Sequence, residues 1–96
     1  MTKYQIKFTS SFKKGLKKVL KQGKKFEKIK TIIVKPANKE ELEIKYKNHE
    51  LNDNKKFKNC KECHVEPDWL LVYKYYKNDL ILLLVETGSH SEIFKK

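Results

Sequence analysis

The second half of this 96-residue chain carries four candidate side chains for proton transfer: His49, His64, Asp68 and His90. Histidine transfers protons near neutral pH, and an aspartate in a desolvated pocket can act as a base. Cleaving RNA beside a ribose 2′-hydroxyl needs one group that removes this proton and another that protonates the leaving 5′-oxygen. Lysines would stabilise the phosphate, and an exposed aromatic ring would stack on a base. These residue types therefore suit acid–base chemistry on RNA that needs no metal, and three ordinary surface histidines are the alternative.

A second candidate site is the segment of residues 60–64, whose letters are CKECH. A C-x-x-C followed by histidine occurs in zinc sites and in haem attachment. However, the surrounding pattern is typical of a strand, in which residues three apart point to opposite faces. The chain has no second pair of cysteines, and haem attachment would require an export signal that the sequence lacks. We therefore expect Cys60 and Cys63 to be free thiols, with no metal and no cofactor.

The composition is strongly basic, because 23 cationic residues, all of them lysine, face 12 acidic ones and give a net charge of +11. Such a charge indicates an anionic partner: nucleic acid, an acidic protein or a membrane surface. A membrane is the poorest of the three, since a basic helix lying on lipid would withdraw its apolar face from a small core. The longest apolar run, residues 80–85, is far shorter than the roughly 20 residues of a membrane span. Two cysteines and no secretory signal predict a cytoplasmic protein.

The first half of the chain predicts one strand followed by two or three helices. Apolar residues alternate with polar ones over residues 3–8, which predicts a half-buried strand. They then recur at helical spacing in two segments, one before Gly23 and one before Pro36. The second helix should end before Pro36, because the residue preceding a proline resists the helical conformation. Residues 38–46 carry a capping-box pattern, which is typical of a short third helix.

The second half predicts three strands, over residues 57–66, 69–76 and 79–86. Their short connections favour antiparallel neighbours. In the last strands the residues that point to either face of the sheet are apolar. Helices or a partner should therefore cover part of the second sheet face. The order of the elements predicts an α+β fold, a single domain over residues 1–96 with helices on one face of the sheet.

Three ordered motifs around the histidines resemble the YafQ branch of the RelE/ParE superfamily of bacterial toxin–antitoxin toxins. They are residues 45–51 (KYKNHEL), 61–73 (KECHVEPDWLLVY) and 87–94 (TGSHSEIF). The first 40 residues match only in pattern. The resemblance implies a RelE/ParE-like fold of order β-α-α(-α)-β-β-β, with a mainly antiparallel sheet packed against the N-terminal helices.

The resemblance also implies a ribosome-dependent mRNA endonuclease that a cognate antitoxin neutralises. It places His49, His64, Asp68 and His90 in the catalytic site. We expect His90 to be the general acid, Asp68 or His64 the general base, and His49 to orient groups or stabilise charge. Further residues are expected to bind RNA or shape the site: Lys45, Lys47, Lys61, Trp69 and Phe94. The expected partners are an acidic, amphipathic antitoxin, mRNA on the ribosome and ribosomal RNA.

Several positions depart from the family pattern, including Asn48 in place of an acid before His49 and a longer loop over residues 52–59 without its glycine and tryptophan. Glu86 replaces an arginine four residues before the last histidine, and Lys61 replaces the arginine of the second motif. Lysine keeps the charge of arginine but loses its bidentate fork. Because the histidines are intact, we favour an active nuclease. A catalytically weakened binding module of the same fold is the alternative, and a ParE-like gyrase inhibitor is poorer, since it would not require three histidines beside Asp68.

Overall fold

The structure, a computed structural model, describes residues 3–40, 42, 44–51 and 57–94, without the side chains of residues 44 and 49. Its elements are β1 (Gln5–Phe8), α1 (Ser10–Lys21), α2 (Phe26–Ala37), a 3₁₀ turn (Ile44–Tyr46), β2 (His49–Glu50), β3 (Lys61–Glu66), β4 (Trp69–Tyr76), β5 (Ile81–Gly88) and α3 (His90–Ile93). The sheet order is β1-β5-β4-β3-β2, and β1 runs parallel to β5 while the other neighbours are antiparallel. The predicted α+β fold with a mainly antiparallel sheet and N-terminal helices is confirmed. No helix within the described ranges is long and apolar enough to cross a membrane.

Helix α1 is fixed to β5 at its start and at its middle. The Thr9 hydroxyl caps the helix by accepting a hydrogen bond from the Phe12 N–H at 3.0 Å, and it donates to the Val85 carbonyl at 2.7 Å. Further along, a Cβ atom on Gly15 would lie 2.2 Å from the Thr87 carbonyl oxygen. Only glycine allows so close an approach of helix to strand. This contact sets α1 directly against the end of β5 that leads to His90.

The prediction that the second helix ends before Pro36 is wrong, since α2 continues through Ala37. Proline removes one helical hydrogen bond, the one that its own N–H would have donated to the Ile32 carbonyl. The Asn38 N–H still donates to the Val34 carbonyl at 3.1 Å, and the Tyr75 hydroxyl donates to the Pro36 carbonyl at 2.7 Å. Ala37 itself is fully buried. Packing of this turn against the sheet therefore outweighs the local preference.

The predicted third helix is reduced, within the described residues, to the 3₁₀ turn. Residues 41 and 43 of that segment, including the acid of the expected capping box, lie outside the described residues. The structure adds the short strand β2, which pairs with the start of β3 and which the sequence pattern did not predict. This pairing brings the backbone of the first motif next to that of the second.

The predicted half-buried character of the first strand is also wrong, because all four residues of β1 are exposed. Strand β1 is an edge strand, paired on one side with β5. Tyr4, which precedes it, is the buried residue of this segment, and its ring packs edge-on against Tyr75 at 5.1 Å between centroids. The apolar side chain of Phe8 remains 56% exposed.

The sheet carries a core cluster on each face. The helix face, covered by α1 and α2, buries the larger one, and its members include Phe12, Ile29, Cys63, Trp69, Leu71, Tyr73 and Leu82. The opposite face buries Phe57, Cys60, Leu70, Val72 and Ile93. Residues 57–59 form a turn, so the strand predicted over residues 57–66 begins only at Lys61. This turn and α3 cover part of the second apolar face, which explains why the strands carry apolar residues on both faces.

Candidate active site

The turn between β3 and β4 connects His64 to Asp68. His64 lies near the end of β3, with its side chain 21% exposed, and Asp68 is an exposed residue of the turn. The His64 Nδ1 atom lies 3.3 Å from the Pro67 carbonyl oxygen. A carbonyl oxygen can only accept, so a hydrogen bond here requires the proton on Nδ1. The turn thus orients the imidazole ring through its own backbone.

Asp68 also contacts the start of α3. One of its carboxylate oxygens, Oδ1, accepts a hydrogen bond from the backbone N–H of His90 at 3.1 Å. The helix begins with a capping box, in which the Ser89 hydroxyl accepts from the Glu92 N–H at 3.2 Å and the Glu92 carboxylate accepts from the Ser89 N–H at 2.9 Å. The cap fixes the backbone at His90, whose side chain is exposed. Asp68 and His90 are therefore adjacent and accessible to a large substrate.

The Phe94 ring packs against the imidazole of His90. The two ring centroids lie 4.9 Å apart, and on its other side Phe94 packs edge-on against Phe57 at 5.6 Å. Because Phe57 is buried in the opposite-face cluster, this chain of rings connects the core to the exposed histidine. The arrangement restricts the positions that the His90 side chain can take.

Trp69 follows Asp68 directly but is fully buried. Its indole N–H donates to the Thr87 hydroxyl at 2.9 Å, and that hydroxyl donates to the Leu70 carbonyl at 2.7 Å. A ring with no exposed surface cannot stack on a base. Of the two expectations for Trp69, only the shaping of the site fits this geometry.

Sequence reasoning did not select Glu62, which the structure places beside His64. The Glu62 side chain is only 5% exposed, and its Oε1 lies 3.8 Å from the His64 Nε2, an ion-pair distance too long for a hydrogen bond. Residues two apart on a strand share a face, which is the signal that could have found it. In the β2–β3 register the Cα of Glu62 is paired with that of His49, whose side chain lies outside the described set. The backbone of His49 therefore lies beside the backbone of Glu62.

A groove extends from His64 toward α2. Its volume is about 630 Å³. The residues lining it include Lys28, Ile32, Lys45, Tyr46, Lys47 and His64. Three lysines and two acids, Glu27 and Glu66, line this groove, so the lysine charge exceeds the acidic charge by one. The expected RNA contacts Lys45 and Lys47 thus line the same groove as His64.

Lys61, by contrast, is not brought to the histidines. Its Cα is paired with that of Tyr73 in the helix-face core, and its Nζ lies 6.0 Å from the centroid of the Tyr75 ring. Glu62, the next residue, is paired with Val72 in the opposite-face core. Because successive strand residues alternate between faces, Lys61 points away from the face that carries His64.

The comparisons with known proteins cover almost the whole chain. Residues 4–95 match the family described as a bacterial toxin of a type II toxin-antitoxin system, YafQ. This chain belongs to the YafQ family. The mRNA interferase toxin YafQ of Escherichia coli strain B is 33% identical to it over 95 residues, which are 98% of this chain and 99% of that protein.

Solved structures support the same assignment of this YafQ-family toxin. A metal-bound toxin from Helicobacter pylori is 37% identical, with a TM-score of 0.87 over 98% of this chain and 100% of that one. The toxin of the E. coli DinJ–YafQ toxin–antitoxin complex is 31% identical, with a TM-score of 0.83 over 96% of this chain and 98% of that one. The family membership expected from the three motifs is confirmed, and the matches extend through the first 40 residues.

The two cysteines of this YafQ-family toxin lie in different core clusters. Cys60 is in the opposite-face cluster and Cys63 in the helix-face cluster, so their sulfur atoms do not converge on one ion. Burial raises the pKa of the Cys63 thiol to about 12 and also raises the pKa of Cys60. Both are free thiols in the protonated, unreactive form at neutral pH.

Glu86, one of the departures from the family pattern, lies on β5, four residues before His90. Glu86 lines a second cleft, of about 400 Å³, between α1 and α3. Lys14 and Lys18 of α1 line the same cleft, together with Glu92 of α3. The acid that replaces the family arginine therefore faces a space that two lysines of α1 also border. Lys18 is paired with Glu92 at 2.6 Å, so the two lysines of this cleft face two carboxylates and do not replace the missing cation on β5.

Proposed function

We propose that this YafQ-family toxin is a ribosome-dependent mRNA endoribonuclease that cleaves by metal-independent acid–base chemistry. The observation that carries the proposal is the hydrogen bond from the His90 backbone to the Asp68 carboxylate, which sets a candidate base beside a candidate acid. The name of the E. coli relative, mRNA interferase toxin, supports the same substrate. The groove beside His64, which Lys45 and Lys47 also line, offers a path for the RNA backbone.

The proposed reaction divides two proton transfers between these groups. Asp68 or His64 removes the proton of the ribose 2′-hydroxyl, and the 2′-oxygen attacks the neighbouring phosphorus. The bond from phosphorus to the 5′-oxygen breaks, and His90 supplies the proton that this oxygen needs to leave. His49, Lys45 and Lys47 stabilise the added negative charge on the phosphate.

The proposed docking surface on the ribosome is the lysine face of α1. Its exposed cations are Lys13, Lys14, Lys17, Lys18 and Lys21. Lysines bind the phosphates of ribosomal RNA without reading sequence, so this contact would weaken steeply with salt. Binding the ribosome holds the message at the site, which replaces a bimolecular encounter by an oriented one.

The proposed antitoxin is an acidic, amphipathic protein. A toxin of net charge +11 favours an acidic partner, because complementary charge speeds association and selects against wrong partners. The solved complex of DinJ with the E. coli YafQ supports a proteinaceous partner for this family member too. We place both the toxin and its antitoxin in the cytoplasm, where the message is translated.

Purified toxin added to ribosomes carrying a defined mRNA tests the nuclease proposal. We expect cleavage of the message on the ribosome, and the His90→Ala variant should lose at least about 100-fold in rate while keeping its fold. Lys77→Ala, at an exposed position of the β4–β5 turn, is the control and should cleave normally. A His90→Ala variant that cleaves as well as wild type would contradict the assignment of the acid.

Glu86 favours one competing function, a binding module with weakened catalysis. If wild-type toxin leaves mRNA on the ribosome intact while still binding an acidic antitoxin, the binding module is the better description. Glu86→Arg then provides the direct comparison, since it restores the family residue. Gain of cleavage in that variant would show that the acid on β5 has disabled an otherwise complete site.

A further inference from the structure

The turn between β3 and β4 contributes two contacts to the candidate site, and regular strand pairing does not fix its position. The Pro67 carbonyl contacts His64, and the Asp68 carboxylate contacts the backbone of His90. Yet the β3–β4 register shifts between His64 and Glu66, just before the turn begins. Such an irregularity interrupts the ladder of hydrogen bonds at this point. Both Pro67 and Asp68 are exposed, so core packing does not fix them either.

Glu66 anchors this turn to the helix layer. Its Oε1 accepts a hydrogen bond from the Lys24 ammonium group at 2.7 Å, and its Oε2 accepts one from Lys28, also at 2.7 Å. Lys24 lies in the connection after α1, directly following Gly23 at φ 91°, and Lys28 lies in the first turn of α2. Both carboxylate oxygens are thus held, by two different parts of the helix layer. Charge-assisted bonds of this length are among the stronger ones in proteins.

The electrostatics of the contact agree with its geometry. Hydrogen bonds from Lys24 and then Lys28 lower the pKa of the Glu66 carboxyl, so the group is ionised at neutral pH. The side chains of Lys24, Lys28 and Glu66 are 37%, 55% and 23% exposed. Ion pairs with that much exposure contribute little to global stability. Their effect is therefore expected in the local position of the turn rather than in the stability of the whole fold.

We propose that Glu66 is a positioning residue for mRNA cleavage. Held by Lys24 and Lys28, it keeps the β3–β4 turn where Asp68 meets the His90 backbone and Pro67 meets His64. The inference rests on the proposed nuclease function and deepens it. A displacement of about 1 Å in a catalytic group can reduce a rate about 100-fold. An anchor that is weak globally can therefore matter strongly for the reaction.

A different role for the same residues makes the opposite kinetic prediction. If Lys24 and Lys28 only attract RNA, Glu66 opposes them, and removing its charge should tighten RNA binding and lower KM. If Glu66 positions the turn, its loss should lower kcat and leave KM unchanged. The kcat and KM of one variant therefore distinguish the two roles.

The test uses Glu66→Gln, with Glu40→Gln as a matched control at an exposed carboxylate paired with Lys35 at 3.7 Å. Two measurements are made on each full-length protein: mRNA cleavage on programmed ribosomes, and hydrogen exchange of the His90 amide. For Glu66→Gln we expect kcat to fall about 10- to 100-fold at constant KM, and His90 exchange to accelerate about 10-fold. Glu40→Gln should change neither quantity. A kcat within twofold of wild type, or unchanged exchange, would overturn the proposal.

Charge reversal gives a second arm that does not depend on activity. The triple variant Lys24→Glu, Lys28→Glu, Glu66→Lys rebuilds the contact with opposite charges, and we expect it to restore slow exchange at His90. Exchange as fast as in Glu66→Gln would contradict the anchoring role. If wild-type toxin cleaved no mRNA, the proposed function would fail while this exchange experiment still decided the role of Glu66.

Discussion

Asp68 and His90 are joined by a single hydrogen bond of 3.1 Å, from the backbone N–H of the histidine to the carboxylate of the aspartate. The Asp68 carboxylate therefore has two roles in the proposed reaction: it holds the start of α3, and it is a candidate general base. The residues lie 22 positions apart in the chain, so this relationship belongs to the fold and not to either motif alone.

Substituting Asp68 separates these two tasks. Asp68→Asn keeps an oxygen that can accept from the His90 N–H but lacks a negative charge, whereas Asp68→Ala removes both. If Asp68 is the base, Asp68→Asn should lose at least about 100-fold in cleavage rate with normal protection of the His90 amide. Asp68→Ala should lose both the rate and the protection. Wild-type cleavage by Asp68→Asn would leave His64 as the base.

Glu62 is expected to matter for His64 rather than for stability alone. Its carboxylate is nearly buried and lies 3.8 Å from the His64 Nε2, so Glu62→Gln removes the charge that this nitrogen faces while keeping the shape. We expect about a 10-fold or larger loss in kcat and a changed ¹⁵N chemical shift of the His64 ring nitrogens. The exposed Glu40→Gln serves again as the control. Unchanged ring shifts would show that Glu62 does not act on His64.

Gly15→Ala should destabilise the toxin, although glycine to alanine in a helix normally stabilises it by about 1 kcal/mol. The new Cβ would lie 2.2 Å from the Thr87 carbonyl oxygen, which is backbone and cannot move without shifting β5. Overpacking of this kind costs about 1–3 kcal/mol. Urea unfolding measures the change in free energy, and Lys17→Ala on the exposed side of α1 should stay within about 0.5 kcal/mol of wild type. A more stable Gly15→Ala variant would refute the close contact.

Acid should weaken the attachment of α3 to α1. The Lys18 ammonium group, 2.6 Å from the Glu92 carboxylate, and then the Ser89 N–H lower the pKa of Glu92 from 4.5 to about 2. Because the folded pKa lies below the unfolded one, this stabilisation is complete above about pH 5 and is lost as the pH falls toward 2. We expect Glu92→Gln to cost about 0.5 kcal/mol at pH 7, because it removes the charge that pairs with Lys18, while the glutamine oxygen can still accept from the Ser89 N–H.

The measurement is the difference in unfolding free energy between about pH 7 and about pH 3, compared in wild type and variant. Glu92→Gln should show a smaller difference, because the group that gains a proton is gone. Glu40→Gln, whose carboxylate is exposed, should show the wild-type difference. An equal acid dependence in wild type and Glu92→Gln would contradict the role of the Lys18 pair.

The sequence predicted those features of this toxin that depend on neighbouring residues in the chain. The α+β arrangement followed from the order of helical and strand periods, and the family followed from three motifs. What it could not predict is which partner each residue meets. Trp69 is buried because Thr87, eighteen residues later, accepts its N–H. Lys61 lies away from His64 because one step along a strand changes the face, although the two residues share a motif.

Local preference also failed where tertiary packing decides. The alternating pattern of β1 is compatible with burial, but its position at the sheet edge leaves it exposed. Pro36 favours a helix end, but the helix continues through Ala37 because this last turn is buried against the sheet. In both cases the deciding contacts are distant in the chain, with β5 for the first and with Tyr75 for the second. Glu66 is the corresponding case in the candidate site, since its two lysines lie about 40 residues earlier.

The parallel pairing of β1 with β5 has a consequence for the synthesis of the toxin. Gln5 to Phe8 find their partners only at Ile81 to Leu84, and α1 rests on the same late strand. A nascent chain that has not yet released residues 81–88 has no strand to receive β1 and no support for α1, and it has not yet presented His90. Contacts this distant in sequence form late in folding. An unfinished copy of the toxin would therefore lack both β5, the strand that joins β1 to the sheet, and its proposed general acid, so the ribosome that is making it is not exposed to an active nuclease.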